Sequence, residues 1–308
     1  MKKKITVVGA GNVGTTTVQL IAEKDLADVV LIDIIEGVPQ GKALDIMEAC
    51  PIWGSSSKIK GTNNYDDTAG SDIVVITAGL ARKPGMSRDD LLAANVKIIR
   101  EVAANIAKTS PDAIVIVVTN PMDAMAQVAL KVTGFPHSRV IGMGGILDTS
   151  RMRAFIAMES GALPKDVQAI VLGGHGDLMV PVLSLTKIGD KYITDVLSDE
   201  KIDQIIERTK NGGAEIVGLL KTGSAYYAPA ASTVDMIECI LGIKSEALPC
   251  SVNLDGEYGI SGVYIGVPVR LGPKGIEEII EVELSKEEKK GLERSADAVR
   301  ELIRKIGD

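Results

Sequence analysis

The chain has 308 residues, which is enough for about two domains with a substantial hydrophobic core. Its 34 basic and 41 acidic side chains give a formal net charge of −7, which argues against nucleic-acid or membrane-surface binding through a basic face. Three separated cysteines and two histidines argue against a disulfide framework and a metal site, and no stretch resembles a membrane helix. The sequence therefore predicts a cytoplasmic globular protein that holds no metal and binds neither nucleic acid nor membrane.

The first half of the sequence alternates short β-branched strands with helical segments. Four predicted strands are uninterrupted apolar runs, as expected for strands buried on both faces, at residues 5–8, 29–32, 73–76 and 114–118. Predicted helices follow the first three strands, at residues 13–24, 36–50 and 90–108. Pro51 is expected to end the second helix, and Pro121 to begin a fourth. This alternation predicts an α/β fold whose first domain, at residues 1–142, is a doubly wound parallel sheet.

The pattern changes in the second half, where we expect an α+β catalytic domain at residues 143–308. Helices are predicted at residues 147–159 and 201–220, and strands at 167–172, 180–187 and 263–271. The last two strands are suited to antiparallel pairing. The final segment, Ser285 to Ile306, is a charged amphipathic helix, with Ser285 as its cap and Glu288 three residues on. Because no linker separates the two domains, they are expected to share a large interface, where ligands commonly bind.

A glycine-rich turn follows the first predicted strand and opens the first helix. Gly9, Gly11 and Gly14 have the GxGxxG spacing, which permits a tight turn, close approach of the backbone to a pyrophosphate, and packing of helix on strand. Asp33 ends the second strand, where a carboxylate can accept both ribose hydroxyls and repel a 2′-phosphate. Together they predict a Rossmann domain that binds NAD. The turn alone also fits a methyltransferase, and Asp33 alone also fits a capping residue.

One of the two histidines is a candidate for acid–base chemistry. Hydride transfer at a hydroxyl carbon needs a proton carrier with a pKa near neutrality, and histidine is the usual choice. His137 lies in a polar loop, which favours a solvated surface position. His175 stands between glycines in the sequence GGHGD, after an apolar run, so a ligand can approach its imidazole closely. We therefore expect His175 to carry the proton.

Several arginine and amide side chains are candidates for binding an anion or a carbonyl group. Arg82 and Arg88 follow the third of the listed strands, and loops at the carboxyl ends of strands carry the ligand in doubly wound sheets. Asp148 and Arg151 are three residues apart on a predicted helix and share a face, so Arg151 can grip a carboxylate. Asn120 ends the fourth strand segment. Each residue alone also fits a surface salt bridge or a cap.

Five segments together resemble the lactate/malate dehydrogenase family over essentially the whole chain, and most of all its malate-specific, lactate-dehydrogenase-like branch. They are residues 7–14, 77–88, 118–123, 145–151 and 173–177. The resemblance implies that His175 donates and accepts the proton, with Asp148 as its partner. It also implies that Arg88 polarises the substrate carbonyl, that Arg151 binds the neighbouring carboxylate, and that Asn120 orients the substrate.

The same resemblance implies NAD as the cofactor and assigns a set of residues to it. These are Gly9, Gly11, Asn12, Val13, Gly14, Asp33, Thr77, Ala78, Gly79, Asn95, Val118 and Asn120. It further implies a homo-oligomer, a tetramer rather than a dimer, with contacts near residues 37–50 and 210–220.

Arg82 occupies the position that the resemblance links to substrate choice. An arginine there accompanies a second carboxylate on the substrate, so we expect a small dicarboxylate, malate or oxaloacetate. Pyruvate would leave the Arg82 guanidinium without a partner. Two alternatives stay open at this point: a dehydrogenase of a monocarboxylic 2-hydroxy acid, and an NAD(H) sensor without catalytic activity.

Overall fold

The computed structural model describes residues 2–80 and 87–307. The first half builds six parallel strands: β1 (Lys4–Val8), β2 (Asp28–Ile32), β3 (Ile59–Thr62), β4 (Ile73–Ile76), β5 (Ile114–Val117) and β6 (Val140–Gly142). They lie in the order β3-β2-β1-β4-β5-β6, so the winding reverses between β1 and β4. In such a sheet the carboxyl ends of the strands at the reversal open a crevice for a ligand. The predicted α/β, doubly wound fold is confirmed.

Four helices connect these strands: α1 (Asn12–Glu23), α2 (Val38–Trp53), α3 (Arg88–Thr109) and α4 (Met122–Thr133). The expectation that Pro51 ends α2 is wrong. Pro51 has no N–H for the carbonyl of Met47 and so removes one bond of the helix, but α2 continues to Trp53 and ends where Gly54 adopts a left-handed conformation with φ +70°. The expected start of α4 at Pro121 is also wrong by one residue, because the ψ of 115° at Pro121 is extended.

Within the described residues, the second half contributes five α-helices and eight strands. The helices are α5 (Gly145–Ser160), α6 (Ile193–Val196), α7 (Asp199–Leu220), α8 (Tyr227–Ile240) and α9 (Lys286–Ile306). The strands are β7 (Val167–Gln168), β8 (Val171–Leu172), β9 (Val180–Pro181), β10 (Lys187–Ile188), β11 (Lys191–Tyr192), β12 (Leu248–Asp255), β13 (Ser261–Gly272) and β14 (Gly275–Ile279). Strands β12, β13 and β14 are antiparallel, and β12 extends the first sheet by pairing with β6 at Ser251 and Gly142. One nine-stranded sheet therefore runs through both halves.

Two strand predictions in this half are wrong. The segment 167–172 divides into β7 and β8, which pair with β10 and β9 in separate sheets. The segment 180–187 is interrupted by a single helical turn at Leu183–Leu185, which separates β9 from β10. Its expected pairing with residues 263–271 is absent, since β13 pairs with β12 and β14 instead.

The final helix forms as predicted. The Glu288 N–H donates to Ser285 Oγ and the Ser285 N–H donates to the Glu288 carboxylate, which completes the capping box. Helix α9 buries Leu292, Ala296 and Val299 and lies against β13, β9 and α4. None of the helices in the described ranges combines the length and apolar character that a membrane crossing requires.

Candidate active site

The glycine-rich turn between β1 and α1 has the shape that a dinucleotide needs. Gly9 has a φ of +106°, and a Cβ at Gly14 would lie 1.9 Å from the carbonyl oxygen of Gly9, so neither position tolerates a side chain. A Cβ at Gly11 would meet no atom within 4 Å, so the space in front of the turn is open. Helix α1 begins at Asn12, and the N–H groups of a first helical turn attract phosphate. The turn fits a pyrophosphate.

Asp33 lies beside this turn, at the carboxyl end of β2. Its Oδ2 accepts a hydrogen bond from the Ala10 N–H at 2.7 Å, and its Oδ1 accepts one from the Ile35 N–H at 3.0 Å. The carboxylate is therefore held in place at the edge of the crevice, as the ribose prediction requires. Lys42 of α2 also reaches the turn, donating to the Ala10 carbonyl at 2.6 Å, and sequence reasoning missed it because lysine carries no spacing signal there.

The ends of β4 and β5 form the opposite wall of the crevice. The Thr77 hydroxyl donates to the carbonyl oxygens of Val8 and Gly9, and the Thr119 hydroxyl donates to the Ala78 carbonyl at 2.7 Å. These bonds join the strand ends to one another and to the glycine-rich turn. The neighbouring Gly79 packs directly on Thr119, where a Cβ would lie 2.4 Å from the threonine methyl. Residues 77–79 therefore border the crevice, together with Val118 at the end of β5.

Asn95 of α3 ties two of the loops together. It is 1% exposed; its Oδ1 accepts from the Leu80 N–H at 2.8 Å, and its Nδ2 donates to the carbonyls of Leu80 and Asn120 at 3.2 and 2.7 Å. The Asn120 side chain remains exposed at the crevice. The structure gives Asn95 a supporting role, and its predicted contact with the cofactor stays a prediction.

His175, Asp148 and Arg151 come together where the two halves meet. The His175 Nδ1 lies 2.8 Å from Asp148 Oδ2, and because a carboxylate only accepts, Nδ1 carries the hydrogen and Nε2 is left to exchange a proton. The Asp148 side chain is almost fully buried, and His175 is 14% exposed. Burial lowers the pKa of His175, but the charge and hydrogen bond of Asp148 and the charge of Asp123 raise it by more, so the net pKa lies above that of an ordinary histidine. The site thus holds a proton carrier whose charged form is stabilised.

Arg151 presents its guanidinium next to this pair. Its Nη1 lies 3.5 Å from the second oxygen of Asp148, and its side chain is 13% exposed. Within the described part of the chain its buried Nε has no hydrogen-bond partner. Gly212 and Gly213 of α7 leave room for the guanidinium, since a Cβ at Gly212 would lie 3.2 Å from Arg151 Cδ. A buried cation with an unpartnered donor fits an anionic ligand, such as a carboxylate.

The loop that carries His175 is held along its main chain by other elements. Gly173 exchanges two hydrogen bonds with Gly266 of β13, and the Gly174 N–H donates to Ser295 Oγ of α9 at 2.8 Å. The His175 N–H donates to Asp123 of α4. Sequence reasoning gave no role to Ser295 or Asp123, because these contacts join segments far apart in the chain.

The structure does not place the remaining candidate residues beside His175, Asp148 and Arg151. Arg82 lies outside the described residues, and Arg88 begins α3 with a side chain that is not described, so both predicted roles stay predictions. His137 is exposed in a single helical turn before β6, which confirms its expected surface position. The described ranges contain no group of three or more histidine, cysteine and acidic side chains that could hold a metal ion.

Comparison with known proteins matches both halves of the chain. The family model for the lactate/malate dehydrogenase NAD binding domain matches residues 3–142, and that for the lactate/malate dehydrogenase alpha/beta C-terminal domain matches residues 146–308. Malate dehydrogenase of Heliobacterium modesticaldum is 55% identical over 306 residues, covering 99% of both chains. That of Thermomicrobium roseum is 54% identical over 303 residues, covering 98% of both.

Two solved structures resemble the fold of this chain equally closely. Malate dehydrogenase from Cryptosporidium parvum has a TM-score of 0.96 at 46% identity, covering 99% of both chains. Lactate dehydrogenase from the same organism, complexed with lactic acid and nicotinamide adenine dinucleotide, has a TM-score of 0.96 at 42% identity, covering 100% of this chain and 99% of that chain. Backbone similarity alone therefore does not distinguish the two substrates.

Proposed function

Since the chain belongs to the lactate/malate dehydrogenase family, we propose that it is an NAD-dependent malate dehydrogenase, which interconverts (S)-malate and NAD with oxaloacetate and NADH. The observation that carries the chemistry is the His175–Asp148 pair beside Arg151, at the crevice that the glycine-rich turn borders. Identities of 53–55% to curated malate dehydrogenases along the whole chain support malate as the substrate. The match of residues 3–142 to the family's NAD binding domain confirms NAD as the cofactor.

His175 moves the proton of the reaction. NAD bound in the crevice would supply the acceptor for the hydride of the hydroxyl-bearing carbon of malate. His175 Nε2 takes the hydroxyl proton at the same time, and in the reverse direction the protonated ring returns it to the carbonyl oxygen of oxaloacetate. Asp148 accepts the Nδ1 hydrogen throughout, which fixes the tautomer and stabilises the imidazolium. The raised pKa of His175 follows from that arrangement.

The arginines bind and polarise the substrate in this proposal. Arg151 forms two parallel hydrogen bonds with the carboxylate next to the reacting carbon, which supplies the partner that its buried Nε lacks within the described chain. Arg88 polarises the reacting carbonyl and stabilises charge on its oxygen. Arg82 binds the second carboxylate of the substrate, and Asn120 orients the substrate against the nicotinamide. The resemblance also implies that the loop around residues 80–90, of which residues 81–86 lie outside the described ranges, closes over both and excludes water.

We also propose a homo-oligomer, a tetramer rather than a dimer, which acts in the cytoplasm as part of the tricarboxylic acid cycle. Large apolar side chains on α2 and at the end of α7 support association, since Leu44, Ile52 and Leu219 are all well exposed. Where such exposed apolar side chains form a contiguous patch, the patch is typical of a surface that contacts another chain. Sedimentation at several protein concentrations measures the number of subunits.

The function is tested by following NADH oxidation with oxaloacetate and with pyruvate at matched concentrations. Strong preference for oxaloacetate supports malate dehydrogenase, and the Arg82→Gln variant should then lose that preference. Preference for pyruvate, as a lactate dehydrogenase would show, contradicts the substrate assignment. Inactivity with both, together with intact NADH binding, favours an NAD(H) sensor.

A further inference from the structure

Asp123 lies in the first turn of α4, directly behind the loop that carries His175. Its Oδ2 accepts the main-chain N–H of His175 at 2.8 Å, and its Oδ1 accepts the hydroxyl of Ser251 from β12 at 2.6 Å. Only 6% of Asp123 is exposed. Both carboxylate oxygens are therefore occupied by donors from elements far apart in the chain, and one of those donors is the main chain of the proton carrier itself.

The surroundings of Asp123 are shaped to allow this contact. A Cβ at Gly174 would lie 3.3 Å from Asp123 Oδ2 and 2.9 Å from a methyl of Val299, so the glycine lets the loop approach the carboxylate. Burial, the largest effect, outweighs the hydrogen bonds from Ser251 and His175 and keeps the pKa of Asp123 above its usual value. Burying a carboxyl group destabilises the fold unless its oxygens accept hydrogen bonds. Here the two donors are the main chain of His175 and the hydroxyl of Ser251.

We propose that Asp123 is a positioning residue for His175, whose carboxylate holds the main chain of the proton carrier while Asp148 holds its imidazole. The two carboxylates come from different helices, α4 and α5, and accept hydrogen bonds from the main chain and from the ring of the same residue. With the main chain and the ring both fixed, Nε2 keeps one position relative to Arg151. A displacement of about 1 Å at a reacting group can cost on the order of a hundredfold in rate.

This inference rests on the proposed function, in which His175 carries the proton. It adds to that function a residue that touches neither substrate nor cofactor and acts through His175. Ser251 belongs to the same arrangement, because its hydroxyl holds the second oxygen of Asp123 from the other half of the molecule. Loss of either group should therefore reduce kcat and leave ligand affinity close to that of the parent enzyme.

The test compares D123A, D123N and S251A with the parent enzyme. We expect D123A to reduce kcat for oxaloacetate about 10- to 100-fold, with a KM and an NADH affinity within about threefold of the parent. D123N should recover most of the activity, because its amide oxygen can accept from the His175 N–H and its NH₂ can donate to Ser251. The kcat of S251A should lie between those of D123A and the parent, since Asp123 then keeps only its hydrogen bond from His175.

Asp72 supplies the matched control. Its carboxylate also accepts a main-chain N–H, that of Lys4 at 2.9 Å, but it precedes β4 at the amino edge of the sheet, away from the crevice. D72A should leave kcat unchanged. Amide hydrogen exchange over residues 170–178, measured without substrate, should be faster in D123A than in D72A, because the His175 N–H loses its acceptor.

Several outcomes would overturn the inference. A folded D123A with parent kcat and parent exchange at His175 contradicts it, as does a D123N variant as impaired as D123A. If D123A does not fold, parent-like kcat in S251A contradicts it. Failure of the proposed function has a different signature: the parent itself would be inactive with oxaloacetate, while the exchange measurement would still report whether Asp123 holds the loop.

Discussion

Asn95 offers the sharpest test of how the crevice is built. Truncation to alanine removes its three hydrogen bonds to the main chain of Leu80 and Asn120. Each is worth about 1 kcal/mol, so N95A should lower the free energy of unfolding by about 3 kcal/mol. For a chain of this length that corresponds to a Tm about 5 °C lower. Because both loops border the crevice, the Kd for NADH should also rise.

The N95D variant separates hydrogen bonding from side-chain volume. Aspartate keeps the acceptor for the Leu80 N–H, but its second oxygen then faces the carbonyls of Leu80 and Asn120, which can only accept. We expect N95D to be at least as destabilised as N95A, since it also buries a charge without a partner.

The measurements are urea unfolding at fixed protein concentration and NADH titration by fluorescence. Asn105 on the same helix is the control, because it makes one bond to the Glu101 carbonyl near the surface. N105A should change the free energy of unfolding by less than about 0.5 kcal/mol. Parent-like stability in N95D would refute the reasoning, since it would mean that the side chain does not donate to the two carbonyls.

Four further predictions concern the reaction and the cofactor turn. The His175→Asn variant should lose at least about a thousandfold in kcat and keep its affinity for NADH; undiminished turnover would exclude His175 as the proton carrier. Reduction of oxaloacetate needs protonated His175, so its rate should fall as pH rises through the raised pKa of His175, whereas oxidation of malate should rise there. D148N should move both pH profiles to lower pH, and unmoved profiles would show that Asp148 does not support the imidazolium. G14A should lower the Tm of the ligand-free protein, because its Cβ would meet the Gly9 carbonyl at 1.9 Å, whereas G11A, with open space around it, should not.

The parts of the fold that the sequence predicts well are those with a local signal. Buried parallel strands are apolar runs, and the first turn of α9 has a capping box in its sequence. Helix α8 went undetected because it is buried on nearly every side and therefore lacks an amphipathic period. Strand β12 went undetected although apolar residues alternate along LPCSVNLD, because a proline inside such a run, here Pro249, argues against a central strand.

The residues of the site also fall into those that have a local signal in the sequence and those that do not. Asp148 and Arg151 share a helical face, and His175 stands between glycines, so local spacing is enough to suggest them. Asp123 and Ser251 are brought together only by the pairing of β12 with the first sheet, a contact that no spacing in the sequence indicates.

The pairing of Gly142 with Ser251 joins the two halves by a shared hydrogen-bond ladder rather than by a flexible connection. Ser251 also donates a hydrogen bond to Asp123, so the residue that joins the two halves also supports the residue that holds the proton carrier. Separation of the halves must therefore pull the catalytic loop out of place. On heating, the enzyme should keep its full specific activity until the pairing of β12 with β6 breaks. Inactivation and cooperative unfolding should therefore coincide in a single transition.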